Sequence, residues 1–249
     1  MATDTDLLGS RALPAPIPGD NLRVPPRSAS LYGDASHISL IGSLMHALAD
    51  EGTYFYSQHP TIDAATTVAG HAAPVLADLY TKPFLVVSNN DVAGSKKRTY
   101  LHWIQISVIT AGASGTSDNW AAECDNGVRY SSGTLVRLGT VNPNMQSTTT
   151  NASVIDCGPY VATAPTSAQR KMGSGVFRPA IALTGDKYLF VFGPSALAEA
   201  NVVATATTHH IIPMPPVILG PNDKFLLHLY APSQSAAGVY KVQMGHWER

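Results

Sequence analysis

Lys224-Phe-Leu-Leu-His-Leu-Tyr-Ala231, followed after Pro232-Ser-Gln-Ser-Ala-Ala-Gly238 by Val239-Tyr-Lys-Val-Gln-Met244, decides the fold class. In the first run Phe225, Leu227, Leu229 and Ala231 point one way and Leu226, His228 and Tyr230 the other, the period of two that a pleated strand imposes. In the second, Tyr240, Val242 and Met244 share one face and Lys241 and Gln243 the other. Two such runs around a polar turn read as a β-hairpin, which would tie this part of the chain down.

Working outward, the composition supports a β reading. The 249 residues suffice for one large β domain with a substantial core or for two small domains. Twenty Gly and 18 Pro make turns frequent and long helices improbable. Only 13% of residues are charged, about half the fraction usual for soluble domains. A dispersed, solitary protein normally carries a more charged surface, so much of this one is expected to be covered by other subunits. A secreted, Ser- and Thr-rich β protein is the alternative. The formal net charge of −1 leaves no whole-molecule attraction to nucleic acid or anionic membrane. Neither is expected as a partner.

Residues 1–35 carry Pro14, Pro16, Pro18, Pro25 and Pro26 with Arg11, Arg23 and Arg27 between them and show no apolar period. Proline fixes φ and removes donors, so the segment reads as an extended arm that runs over a neighbouring surface; a disordered tail is the other reading. Across 36–52 the pattern changes. Ile38, Ile41, Met45 and Leu48 recur at three- and four-residue steps, with Asp34 or Ser36 as cap and Gly52 as stop, which predicts one short helix. Arg11, Arg23, Arg27, Ile38, Ile41 and Met45 are the candidate assembly contacts.

Residues 53–249 are expected to form the β domain. The predicted strands are 53–58, 84–89, 99–111, 119–124, 134–141, 153–160, 176–184, 187–193, 201–212, 224–231 and 238–247. The strongest is 99–111, with Ile104, Ile106 and Val108 opposite Gln105 and Ser107. Tyr188-Leu-Phe-Val-Phe192 is apolar on both faces and should lie mid-sheet, covered from both sides. Residues 142–152, small and polar, read as an exposed loop.

Catalytic signatures are lacking: no Gly-x-Ser-x-Gly elbow, no phosphate-binding loop closing on Lys-Ser or Lys-Thr, no His-Glu-x-x-His. Of the nine histidines, His209 and His210 are adjacent, and on a strand adjacent side chains leave opposite faces, so one ion could not take both. Carboxylates for glycosidic cleavage would have to meet across the fold, Glu123 with Asp186 for example, and nothing pairs them. Cys124 and Cys157, the two cysteines, could bridge two strands or serve as small buried apolar residues. Lys96-Lys97-Arg98, the one basic cluster, reads as a solvated turn. The acids near Met1 stand where a secretory signal needs basic residues, so export by that route is not expected. The expectation is no enzyme, no metal and no cofactor.

A sugar platform is the competing reading. Trp103, Trp120 and Trp247 with ten Tyr could line one. Trp103 sits in an apolar strand and reads as core, whereas Trp120, after Ser117-Asp-Asn, reads as exposed and is the candidate ligand contact.

The segment Ile218-Leu-Gly-Pro-Asn-Asp-Lys-Phe-Leu-Leu-His-Leu-Tyr230, then Ser233-Gln-Ser-Ala-Ala-Gly238, Tyr240 and Gly245-His-Trp-Glu-Arg249 resembles jelly-roll virion structural proteins of tailed bacteriophages. The likeness covers the last third of the chain and is one of rhythm in what precedes. It implies a mainly β, antiparallel jelly-roll-type sandwich, a homo-oligomer (trimers being common) held among other virion proteins, location in the virion, and no enzymatic activity. It carries over no functional residue. The function expected is therefore that of a bacteriophage virion structural protein, a capsid subunit or capsid-stabilising decoration protein, working through symmetric contacts and the arm; a carbohydrate-binding β-sandwich module is the alternative.

Overall fold

The computed structural model describes residues 48–60, 66–67, 83–92, 94–113, 118–126, 130–133, 135–158, 160–162, 170–178, 183–193, 202–203, 208–230 and 238–249. The chain divides into two compact units, Met1–Glu51 and Gly52–Arg249. In the first, residues 48–50 are helical; the predicted arm, the rest of the predicted helix, and with them Arg11, Arg23, Arg27, Ile38, Ile41 and Met45, lie outside the described residues. Gly52 follows with φ 70°, a left-handed conformation that glycine adopts without strain after a helical turn.

The second unit is mainly β. Its strands are β1 (Tyr54–Gln58), β2 (Thr66–Thr67), β3 (Leu85–Asn89), β4 (Thr99–Thr110), β5 (Asp118–Asp125), β6 (Tyr130–Gly133), β7 (Val136–Arg137), β8 (Gly139–Val141), β9 (Ser153–Cys157), β10 (Tyr160–Ala162), β11 (Arg170–Arg178), β12 (Lys187–Phe192), β13 (Val202–Val203), β14 (Thr208–Met214), β15 (Ile218–Leu219), β16 (Lys224–Tyr230) and β17 (Val239–Glu248). A nine-stranded sheet runs β13-β14-β12-β4-β17-β1-β8, with β15 beside β4 and β2 beside β17; a six-stranded sheet runs β11-β5-β16-β3-β9-β7. The pairings are antiparallel except for β12 with β14. β6 and β10 form a separate ribbon, which the sequence pattern did not announce.

The two sheets pack as a sandwich. Ile104, Ile106, Val108, Phe190, Val242 and Met244 from one meet Leu85, Val87, Ala122, Ile155, Phe225 and Leu227 from the other in a single apolar cluster. Burying each of these side chains other than Ala122 fully contributes about 1.5–3 kcal/mol. Rings lock the sheets together: Phe177 of β11 stacks on Tyr188 of β12 at 4.0 Å between centroids, and Trp120 of β5 meets Phe190 of β12 edge-on at 5.2 Å.

The opening stretch forms strands, but not a hairpin. β16 lies between β5 and β3 in the six-stranded sheet, and β17 lies between β4 and β1 in the other. Each of them carries apolar residues that need a neighbour on either side, and the connection between them is long enough to cross the roughly 10 Å between stacked sheets. A similar crossover divides the strand predicted at 134–141: Val136 and Arg137 pair with β9, Gly139–Val141 pair with β1, and Leu138, buried between them, passes from one sheet to the other. The strand predicted at 176–184 runs from Arg170 to Arg178 instead, because Gly173 and Gly175 continue it towards the N-terminal side, while Leu183 and Thr184 lie outside any strand. β12 lies mid-sheet as expected, although Leu189 and Val191 on its outer side are only half-buried.

Candidate binding surfaces

Two surfaces of the sandwich are built with more precision than packing alone demands. The first is the end where β17 and Arg249 meet the start of β4. Glu248 is 2% exposed, and its carboxylate accepts from the Ala152 amide at 2.8 Å, the Ser153 amide at 2.8 Å and Ser153 Oγ at 2.6 Å. Lys97 Nζ forms an ion pair with it at 2.8 Å and also donates to the Thr150 carbonyl at 3.1 Å. The basic turn is thus not simply solvated: Lys96 and Arg98 are exposed, while Lys97 is spent on a tie. Burial by itself would push the Glu248 carboxyl up; the neighbouring His246 ring, Lys97, Ser153 and the Ala152 amide outweigh it and bring it down to about 2.

This clasp holds the loop that the sequence marked as exposed. Asn142 adds a bond to the Gly52 carbonyl at 2.9 Å, and the Ser147 hydroxyl fills the space where a side chain on Gly52 would stand. Val92, 73% exposed, and Met145, 90% exposed, are displayed beside the clasp, while Val141 at 56% and Ile218 at 51% stand opposite Tyr56 and Tyr100 in the nine-stranded sheet.

Serine, histidine and a carboxylate meet here, but not as a nucleophile relay. Ser153 Oγ donates to the carboxylate itself, and His246 Nε2 stands 3.7 Å from Glu248 Oε1. All three groups are buried, so the hydroxyl is not presented to a ligand at the surface. The arrangement is a tie between strands.

The second surface is the outer side of the nine-stranded sheet. Tyr54, Trp247 and Tyr100 lie in one row across β1, β17 and β4; Tyr56, Gly245 and Trp103 form the next; Gln58, Gln243 and Gln105 the third. Tyr100 and Trp247 stack with planes 1° apart and centroids at 5.3 Å. The Trp103 indole donates to Tyr54 Oη at 3.1 Å, and the same hydroxyl is 3.1 Å from His102 Nδ1. Gln105 donates to Gln243 at 3.2 Å. A side chain on Gly245 would collide with the Tyr54 hydroxyl and come within 2.6 Å of Trp103 Nε1. Glycine is what lets indole and phenol join over the strand.

The expected ligand residue is elsewhere. Trp120 is 8% exposed and belongs to the core, where the backbones of Gly173 and Gly175 on β11 make room for its indole. Its parity with Ala122 and Cys124 was the signal for an inward position. Trp103, expected in the core, is half-buried on the outer face because it shares parity with Gln105 and Ser107.

No family model, curated protein or solved structure matches this chain.

Other candidates carry little chemistry. Among the described residues no group of three His, Cys, Asp or Glu side chains could hold a metal, and no helix is long and apolar enough to cross a membrane. Glu123 faces outward from the six-stranded sheet, whereas Asp186 sits in the other and receives the Tyr188 hydroxyl at 3.3 Å. Cys124 and Cys157 are free thiols. Burial pushes Cys124 up to about 12 and Cys157 well above its usual range, so neither supplies a thiolate. A cleft of about 220 Å³ beside Cys124 is lined by Asp125, Arg170, Pro216, Ile218 and Asp223.

Proposed function

We propose that this chain is a structural protein of a bacteriophage particle, a capsid subunit or a capsid-stabilising decoration, that works by symmetric contact with copies of itself and with other virion proteins. The observation that carries this reading is the clasped end of the sandwich. A polar loop is pinned by a buried carboxylate, and the pinned end displays Val92 and Met145 to solvent. Fixing a surface before contact removes ordering entropy from the association step. A chain that stays alone gains nothing from holding Met145 out in water.

The low charge points the same way, since interface cores are depleted in charged residues. Among the described residues β13, β8, β11 and β7 stand at the sheet edges, which neighbours in an assembly would cover. The resemblance of residues 218–249 to jelly-roll virion proteins supplies the biological setting.

Light scattering of the purified protein, with imaging of whatever forms, tests the reading. The expected result is a discrete oligomer that Met145→Glu with Val92→Glu reduces to monomer without unfolding it. A monodisperse wild-type monomer at millimolar concentration would overturn it. Removing residues 1–35 is expected to leave the β domain folded and to abolish incorporation into particles.

A further inference from the structure

The outer face of the nine-stranded sheet calls for an occupant different from the clasped end. Its groups are uncharged over three neighbouring strands: aromatic rings in two rows and a row of primary amides. Burial lowers the tendency of His102 to protonate and raises the Tyr54 and Tyr56 hydroxyls above their ordinary range, so the face stays neutral around pH 7. Lys241 and Lys187 lie one row beyond the amides, outside the aromatic field.

The polar groups are also oriented in advance. Tyr56 Oη bonds Gln58 at 3.3 Å, Gln105 bonds Gln243, and Trp103 bonds Tyr54. An amide offers both a donor and an acceptor on one planar group, which matches adjacent hydroxyls, and an aromatic ring takes the apolar C–H side of a sugar. An anionic or cationic ligand would find no counter-charge among these rows. A protein partner has no special need of three amides in line.

We infer that this face binds a neutral glycan, with Trp103 and Tyr56 contacting the apolar side of a pyranose and Gln58, Gln105 and Gln243 reading its hydroxyls. Val141 and Ile218 flank two of these rows, opposite Tyr56 and Tyr100, whereas Val92 and Met145 lie outside them, so substitutions at those two test the assembly reading separately from this one.

Screening the full chain on an array of neutral and sialylated or sulfated glycans, then titrating the best neutral hit by calorimetry, tests it. The expected result is selective retention of neutral glycans, a loss of at least about tenfold in affinity for Gln243→Ala, and no measurable binding for Trp103→Ala. Gln243→Ala removes only a half-buried amide and keeps the assay meaningful if Trp103→Ala fails to fold. The light-scattering mass should be the same for both Gln243→Ala and wild type. Three results would overturn the inference: no neutral glycan held at millimolar concentration, affinity unchanged in Gln243→Ala, or a change in oligomer mass in place of a change in glycan binding.

Discussion

Ser153 gives both its amide and its hydroxyl to Glu248, 95 positions away, at 2.8 and 2.6 Å to the same carboxylate oxygen. Two strands from opposite sheets, β9 and β17, are thereby joined at their ends, with Lys97 closing the group from a third segment. Charge-assisted bonds inside a protein are worth more than neutral ones, and removing one partner leaves the others buried without compensation.

Glu248→Ala is therefore expected to cost on the order of 3 kcal/mol in urea unfolding at pH 7, with amide exchange rising first across residues 142–153. The pH dependence has a definite sign. The folded carboxyl titrates at about 2 and the ordinary value is 4.5, so its stabilisation is complete above 4.5 and is lost as pH falls towards 2. A stability curve that is flat through that window in wild type would show that the clasp contributes nothing.

Glu123 should behave in the opposite way. It is 4% exposed, Oε2 has no hydrogen-bond partner among the described residues, and burial pushes the carboxyl up to about 7, with Lys171 opposing and Asp125 adding to the shift. A raised carboxyl costs stability once it ionises, so the native state should weaken as pH climbs from 4.5 through 7. Glu123→Gln is predicted to stabilise by on the order of 1 kcal/mol at pH 8 and to be neutral at pH 4. Equal effects at both values would disprove the assignment.

How much of this was legible in the residues follows from what each feature depends on. Alternation within one strand is local, so Ile104, Ile106 and Val108 could be placed inward and Gln105 and Ser107 outward from the sequence alone. Pairing is not local. β17 takes β4 as its neighbour across more than a hundred residues, and the turn between β16 and β17 gives no sign that it crosses sheets. The Trp120 slot is less visible still, since it is made by Gly173 and Gly175, two residues that read as breakers. The outer face was half legible: Trp103 and Trp247 were named as sugar-platform candidates, but the Gly245 contact that holds Trp103 against Tyr54 depends on register. The tie at Glu248 had no local signal.

Gly245→Ala tests that register directly. The added methyl group would occupy the space in which the Tyr54 hydroxyl and Trp103 Nε1 meet, so one ring has to move and their 3.1 Å bond breaks. Overpacking of this kind costs about 1–3 kcal/mol. The expected outcome is a lower melting temperature together with an altered near-ultraviolet circular dichroism signal from the tryptophans. An unchanged spectrum would mean that the two rings are not coupled through Gly245.

Trp120 separates core from surface. Its indole packs against Phe177 at 6.5 Å and Phe190 at 5.2 Å between centroids, and the glycines beneath it cannot fill the void its removal would leave. Trp120→Ala should cost about 3–5 kcal/mol, whereas Trp120→Phe, which keeps a ring in the slot, should recover a large part of that. Acrylamide quenching provides the independent measurement. In wild type one tryptophan of three should be protected and two accessible, and Trp120→Phe should abolish the protected fraction while leaving the accessible one intact. Protection that survives the substitution would place a different tryptophan in the core and return Trp120 to the surface.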